Sequence, residues 1–213
     1  MFFENFLASV YPNVCSFCGK KINSDSYTCR NCLSILKYYK ERIEKGNSNY
    51  SYMINLFEYK GVIKNLIWYF KFRNRKDYGK VLAELVALKL KNLNVDFDII
   101  IPVPISLSRF RERGYNQCEE ITKHVSRFLN KKTYSNVLLK IKNNKRQSEL
   151  HTDDRKNNVV GVYKVRNKEK VKNKKILVLD DVCTTGATIN ECARMLKNAG
   201  AKEVIAITVA YVL

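Results

Sequence analysis

The sequence predicts an α/β fold in which helices flank a parallel sheet, and three observations support this class. Apolar runs of strand length alternate with segments whose apolar residues recur at helical spacing. The 213 residues are 46% hydrophobic and 11% aromatic, which is enough apolar material for a buried core. Four cysteines in two close pairs near the N-terminus predict a small module ahead of the sheet.

The cysteine pairs are Cys15 with Cys18 and Cys29 with Cys32, separated by ten residues. Each C-x2-C pair can place two thiolates on one tetrahedral ion, so together they predict a closed, structural zinc site. Two disulfides or a redox-active C-x-x-C are the alternatives. Disulfides fit an intracellular protein poorly, and redox motifs rarely occur as two matched pairs. We therefore expect a zinc module with its connector over residues 1–45 and a second domain over 46–213.

Two helices are predicted at the start of the second domain. Residues 61–72 and residues 78–93 both place apolar side chains at helical spacing. Eight aromatic residues in and before the first helix are interleaved with Lys and Arg. We assign most of these aromatic side chains to the core, with Tyr50, Tyr52 and Trp68 the least certain. The apolar positions of the two helices are Val62, Ile63, Leu66, Ile67 and Phe70, and Leu82, Leu85, Val86, Leu88 and Leu93.

Strands and helices alternate through the rest of the chain. Residues 98–104 form a β-branched run halted by prolines, which predicts a buried strand ending at a rigid loop. Residues 115–129 are predicted to be helical. Two apolar strands, 174–182 and 203–210, are separated by a predicted helix over 188–198. This alternation predicts parallel pairing of the strands.

Positive charge is concentrated in two segments. The net charge is +19, and 16 of these charges come from residues 35–80 and 136–175. A clustered surplus predicts a polyanion, and cations interleaved with aromatic rings favour single-stranded DNA. Compositional bias toward lysine is the alternative explanation. The residues expected to contact nucleic acid are Lys71, Arg73, Arg75, Lys76, Arg109, Arg111 and Arg113.

The sequence gives no indication of membrane insertion. No stretch approaches the ~18 consecutive apolar residues of a membrane span. The first ten residues lack a basic leader and contain Glu4, which makes them a poor signal peptide. We therefore expect a cytoplasmic protein.

The loop after the strand 174–182 carries the predicted chemistry. The strand brings Asp180 and Asp181 to the carboxyl edge of the sheet, where open α/β sheets bind ligands. A helix follows directly, and its first N–H groups and the loop hydroxyls suit a phosphate monoester. The carboxylates would repel phosphate, so we expect them to bond sugar hydroxyls, which together predicts a ribose 5-phosphate site. A capped helix beside two surface acids is the alternative. The loop residues are Thr184, Thr185, Gly186, Ala187 and Thr188.

This stretch resembles the phosphoribosyl-pyrophosphate (PRPP) motif of type I phosphoribosyltransferases. Four apolar residues, two acids, an apolar residue, any residue and Thr-Thr-Gly occur in that order. By this resemblance the two aspartates would hold the ribose hydroxyls and the Thr/Gly loop the 5-phosphate. A magnesium ion would bridge pyrophosphate and ribose. Arg146 and Arg155 are expected to neutralise the pyrophosphate, with Arg109, Arg111 and Arg113 as alternatives. The loop expected to bind pyrophosphate is Val103, Pro104, Ile105 and Ser106.

A narrower resemblance covers almost the whole chain and involves five motifs in order. Paired C-x2-C knuckles, Pro102-Val-Pro104, Arg113-Gly-Tyr-Asn-Gln117, a stretch from Arg146 to Gly161, and Asp-Asp-Val-Cys-Thr-Thr-Gly-Ala-Thr are similar to the ComF competence-protein family, of the ComFC type. This resemblance implies handling of incoming single-stranded DNA on the cytoplasmic side of the uptake machinery, beside a helicase-like competence ATPase. Cys118 departs from the family pattern, in which alanine is commoner.

Two other functions stay open at the level of sequence. An active phosphoribosyltransferase would use the same pocket with a nucleobase-like acceptor. No acid/base constellation for an acceptor is recognisable, so no catalytic residue is assigned. A PRPP-sensing regulator would instead change its affinity for DNA or for a partner when PRPP binds.

Overall fold

The computed structural model describes residues 14–15, 17–22, 27–37, 41–73, 75–142 and 160–213. Their helices and strands follow in the order α1 (Arg30–Lys37), β1 (Arg42–Lys45), β2 (Tyr52–Glu58), α2 (Gly61–Phe72), α3 (Asp77–Asn92), β3 (Ile99–Pro102), α4 (Leu107–Arg113), α5 (Gln117–Leu129), β4 (Lys132–Thr133), β5 (Leu138–Lys140), β6 (Tyr163–Val165), β7 (Lys175–Cys183), α6 (Ala187–Asn198) and β8 (Glu203–Tyr211). A short 3-10 turn at Lys168–Lys170 precedes β7.

Six of the described strands form one sheet, in the order β1, β2, β8, β7, β3, β4. The β1–β2 pair is antiparallel and the other neighbours are parallel. The two longest strands, β7 and β8, lie at the centre, and their apolar residues are buried against α5 and α6. The carboxyl ends of β2, β3 and β7 therefore meet at one edge of the sheet. This architecture confirms the predicted α/β class.

The two predicted helices of the basic segment are present, with small differences in the buried face. α2 buries Ile63, Leu66, Ile67 and Phe70, whereas Val62, which we expected on this face, is exposed. α3 buries most of its apolar positions, but Leu88 is exposed. Val62 lies at the margin of the apolar stripe of α2, where one residue step of about 100° moves a side chain from the core to solvent. Leu88 instead lies on the side of α3 that faces away from its buried residues.

Several described elements were not predicted. β1 lies in the segment that we expected to be a connector. It was not predicted because its sequence, RIEK, has no apolar alternation. β2 lies in the aromatic stretch that we did not assign to a strand. α4 buries no side chain, so it has no core-facing period that a sequence could show. β5 was not predicted either, whereas β6 falls within residues 159–165, which the sequence predicts to contain a short strand-like piece. The two strands form a separate antiparallel ribbon. Within the described ranges, no helix combines the length and apolar character needed to cross a bilayer.

Candidate ligand cleft and cysteine cluster

A cleft of about 360 Å³ opens at the carboxyl edge of the sheet. It receives side chains from the ends of β2, β3 and β7, from α2, α4 and α5, and from the β5–β6 ribbon. The structure brings together many of the residues singled out from the sequence. Those that line the cleft are Lys71, Val103, Pro104, Ile105, Arg109, Arg113, Asp180, Asp181, Thr184 and Thr188.

The paired aspartates lie at the base of this cleft and have different partners. The Lys71 ammonium donates to Asp181 Oδ1 at 2.8 Å, and both side chains are largely buried. Asp180 Oδ1 accepts from the backbone N–H of Asp181 at 2.8 Å and from the thiol of Cys118 at 3.4 Å. Burial raises the pKa of Asp180, repulsion from Asp181 raises it further, and Lys71 offsets part of this, so that the pKa lies at about 7.

The Thr/Gly loop joins β7 to the start of α6. Gly186 has φ +72°, a left-handed conformation that side-chain-bearing residues rarely adopt, and α6 begins at the next residue. The Thr185 hydroxyl oxygen accepts from the N–H of Ala187 at 3.5 Å. The loop therefore directs the free N–H groups at the start of α6 toward the part of the cleft that Thr184 and Thr188 line.

The loop after β3 forms the opposite wall. Ser106, predicted to bind pyrophosphate, is buried and acts as the N-cap of α4, since its hydroxyl accepts from the N–H of Arg109 at 3.4 Å. Arg113 donates to Gln117 Oε1 at 2.8 Å. Its Nε is buried and has no hydrogen-bond partner among the described residues, and burial lowers the pKa of the guanidinium. The wall thus presents a half-buried cation with an unused donor.

Several cleft residues were not predicted from the sequence. Lys140 and Tyr163 reach the cleft from the β5–β6 ribbon, and Cys118 from α5. Burial and the neighbouring Arg109 lower the pKa of Lys140 to about 8. Burial raises the pKa values of Tyr163 and Cys118 above their usual range. Cys118 and Tyr163 each carried a weak sequence signal as departures from the ComF pattern, in which Ala and Phe are commoner at these positions.

The basic residues expected to contact nucleic acid divide into two groups. Lys71, Arg109 and Arg113 line the cleft. The others lie outside it, and one of these, Arg75, is paired with Asp77 at 2.6 Å. The remaining members of the outer group are Arg73, Lys76 and Arg111. Arg146 and Arg155, expected at the pyrophosphate, lie outside the described residues.

The four paired cysteines converge at the N-terminal end of the described chain. Their Sγ atoms all lie within 4.8 Å of one another, and those of Cys18 and Cys29 are 3.6 Å apart. The first knuckle is closed by the N–H of Cys15 donating to Lys20 O at 2.7 Å. Burial raises the pKa of the Cys15 thiol, but hydrogen bonds from the backbone of Cys29, Cys18 and Phe17 outweigh this and lower it to about 6. This cluster is compatible with a zinc site.

A family model described as the phosphoribosyl transferase domain matches residues 116–213. The matched part contains the paired aspartates, the Thr/Gly loop and the central strands β7 and β8. The match, together with the parallel sheet and the cleft at its carboxyl edge, makes this part of the chain similar to a phosphoribosyl transferase domain. A crystal structure of adenine phosphoribosyl transferase from Trypanosoma brucei is similar at a TM-score of 0.45 and 12% identity, over 79% of this chain and 74% of that one.

Two curated relatives extend the likeness to nearly the full length. Competence protein F of Haemophilus influenzae is 30% identical over 200 residues, covering 90% of this chain and 87% of the relative. DNA utilization protein YhgH of Escherichia coli K12 is 25% identical over 206 residues, covering 93% and 90%. The chain therefore belongs to the competence protein F family, which confirms the resemblance seen in its motifs.

The raised pKa of Asp180 makes a prediction about stability. Aspartates of the unfolded chain titrate near pH 4, so between about pH 4 and pH 7 the folded protein holds more protons than the unfolded chain. The free energy of unfolding then falls as the pH rises through this window. Asp180→Asn removes the buried charge, and we expect the variant to be more stable than the parent at pH 8 by on the order of 1–3 kcal/mol.

Urea unfolding at several pH values measures this difference, which should shrink toward pH 4. The matched control is Asp96→Asn, because Asp96 is an exposed carboxylate paired with Lys175 at 2.6 Å and its pKa is lowered by that lysine. The control should show no gain at pH 8. Equal stability of Asp180→Asn and the parent across the whole pH range would contradict the raised pKa of the Asp180 carboxyl.

Proposed function

We propose that this protein handles incoming single-stranded DNA during natural transformation and retains a magnesium-dependent PRPP-binding pocket. One observation carries the proposal: in a chain of the competence protein F family, Asp180 and Asp181 line one cleft together with Thr184 and Thr188 of the Thr/Gly loop. The name of the second relative, DNA utilization protein, is consistent with this function. A helicase-like ATPase is the protein partner that we expect.

In the proposed pocket, Asp180 and Asp181 accept hydrogen bonds from the ribose hydroxyls. The 5-phosphate lies against the hydroxyls of Thr184 and Thr188 and the first N–H groups of α6, which carry the positive end of the helix dipole. The pocket separates these functions in space, because the carboxylates lie on the strand and the phosphate donors on the loop that follows it. Asp181 must then share its carboxylate between Lys71 and a ribose hydroxyl.

The charges around the cleft fit a polyanionic ligand. Its described lining contains the cationic side chains of Lys71, Arg109, Arg113 and Lys140. The unused Nε donor of Arg113 and the loop from Val103 to Ile105 lie on the wall proposed for pyrophosphate. When bound with the ligand, magnesium would neutralise the phosphate oxygens, and its remaining coordination would come mainly from ligand and water oxygens. No residue of this lining is assigned to proton transfer, so the proposal is one of PRPP binding.

We further propose that zinc occupies the four-cysteine cluster. The four sulfur atoms are close enough for one tetrahedral ion. Tyr27, which precedes the second pair, donates its backbone N–H to Glu84 on α3 at 3.1 Å. A closed four-thiolate site therefore has a structural role in this proposal, bracing the N-terminal module against the helices.

Replacing both aspartates tests the PRPP pocket. We expect the double variant Asp180→Asn/Asp181→Asn to have no measurable affinity for Mg-PRPP by isothermal titration calorimetry. The reason is that hydrogen bonds to charged carboxylates contribute roughly 1.5–3 kcal/mol each. Asp96→Asn, at the opposite edge of the sheet, should bind like the parent. Retained binding in the double variant would place the ligand elsewhere.

The salt dependence of oligonucleotide binding tests the nucleic-acid function. If several phosphates are neutralised by Lys and Arg, affinity for a labelled oligo-dT should fall roughly ten-fold or more between 50 and 200 mM salt. Fluorescence anisotropy gives this slope directly. Arg73→Gln should reduce its magnitude by about 0.7, the contribution of one phosphate contact to a single strand. A flat salt response would argue against direct contact with DNA.

Metal analysis tests the zinc proposal. We expect about one zinc ion per chain in the purified protein, as for one closed four-thiolate site. Cys29→Ser should lower this stoichiometry toward zero, because an alcohol does not replace a thiolate ligand. Cys192→Ala is the control, since Cys192 is buried in α6 away from the cluster and should leave the zinc content unchanged. A disulfide between paired cysteines, found by mass spectrometry, would contradict the proposal.

A further inference from the structure

The outer face of α2 exposes three aromatic side chains, which we call the aromatic strip: Trp68, Tyr69 and Phe72. They are 39%, 45% and 50% exposed, respectively, although the same helix buries four large apolar side chains on its other face. Phe72 lies four residues after Trp68 and three after Tyr69, and both spacings place side chains on one side of a helix. Exposing three aromatic rings side by side is costly for an isolated protein, and such patches generally mark a contact surface.

The rings of the strip are arranged as separate stacking faces. The ring centroids of Trp68 and Tyr69 are 5.2 Å apart with planes at 84°, and those of Trp68 and Phe72 are 6.0 Å apart with planes at 49°. The rings therefore do not stack face to face on one another. This geometry suits planar groups that arrive one at a time, such as the unstacked bases of a single strand.

Guanidinium groups lie over two of the rings. Arg73 Cζ is 5.3 Å from the centroid of the Trp68 ring, and Arg113 Cζ is 5.2 Å from that of Phe72. Arg73 has no carboxylate within ion-pair distance among the described residues, in contrast to Arg75. Alternating rings and available cations match the alternation of bases and phosphates along a nucleic-acid strand.

The strip also continues into the cleft. Phe72 belongs to the strip and also lines the cleft, as does Arg113, which contacts the Phe72 ring. Lys71, next to Phe72 in the chain, is hydrogen-bonded to Asp181 inside the cleft. A strand that follows the strip from Trp68 toward Phe72 therefore reaches the mouth of the cleft. The exposed aromatic rings and the proposed PRPP pocket belong to one continuous surface.

We propose that the aromatic strip is the base-stacking surface for single-stranded nucleic acid, with Arg73 and Arg113 contacting its phosphates. This inference rests on the proposed DNA-handling function and specifies where the strand binds. A single strand is favoured over a duplex because paired bases are already stacked and cannot lie on protein rings. It is favoured over a protein partner because residues 35–80 carry eleven basic and four acidic side chains, which complements a polyanion.

The chain itself contains the reporter for the experiment, because Trp68 is its single tryptophan. Oligo-dT is added to the full-length protein while tryptophan emission is followed, and anisotropy of a labelled oligo-dT gives the affinity. We expect the emission to be quenched with the same midpoint as the anisotropy change. Trp68→Ala and Phe72→Ala should each weaken binding about ten-fold, as for the loss of one base stack. Their salt slope should equal that of the parent, since no phosphate contact is removed.

Matched variants separate stacking from damage to the fold. Phe72→Tyr keeps a ring and should restore affinity to within about two-fold of the parent, because any aromatic face can carry a base. Phe128→Ala removes another exposed phenyl ring, at the end of α5 beside the start of β3 on the opposite edge of the sheet, and should bind like the parent.

Three results would overturn the inference. If Trp68→Ala and Phe72→Ala both bind oligo-dT as the parent does, the strand lies elsewhere or the strip serves a protein partner, while the DNA-handling function stands. If duplex DNA binds more tightly than oligo-dT and responds equally to the variants, the surface does not select unstacked bases. If the parent binds no oligonucleotide at 50 mM salt, the DNA-handling proposal fails together with the strip.

Discussion

The repulsion between two adjacent carboxylates at the end of a buried strand is the constraint around which the cleft is built. Asp180 and Asp181 follow one another at the carboxyl end of β7, where little water is available to separate their charges. The fold meets this constraint with an ammonium from α2 on one carboxylate and a thiol from α5 and a backbone N–H on the other. Two helices distant in sequence are thereby tied to the central strand at one point, and removing a partner would leave an uncompensated buried charge.

Three sides of α2 therefore have different roles. One packs into the core through residues such as Ile67 and Phe70, one places Lys71 in the cleft, and the third exposes the aromatic strip. A ribose hydroxyl that bonds Asp181 competes with Lys71, and Lys71 is directly followed by Phe72 of the strip. Any resulting change in nucleic-acid affinity would be reciprocal, because linkage between two binding sites acts equally in both directions. The Lys71–Asp181 pair is thus the contact at which the predicted PRPP-sensing regulator would operate.

The sequence predicted those parts of the fold and the cleft that depend on local pattern. The central strands, their connecting helix and the acid-acid-Thr-Thr-Gly loop are contiguous, so periodicity and spacing were sufficient. The position of Lys71 was not predictable, because its partner lies 110 residues away and the helix phase alone does not say which lysine faces the cleft. Lys140 and Tyr163 come from the short β5–β6 ribbon, which carries no strong pattern. The Ser106 hydroxyl caps α4, and this capping role was not predicted, because spacing alone does not distinguish a cap from a phosphate-binding loop.

The division of the basic residues changes the meaning of the net charge of +19. Lys71 is neutralised by Asp181 and Arg75 by Asp77, and Arg109 faces the cleft, where a phosphorylated ligand would use it. Arg113 borders both the cleft and the aromatic strip. The charge available to a polyanion on the outer surface is therefore smaller than the sequence total implies. With fewer phosphate contacts, electrostatic attraction alone would hold a strand weakly and without preference for single strands. Base stacking supplies what the remaining cations cannot, so the exposed rings of α2 are a more specific indication of single-stranded DNA than the charge that first suggested it.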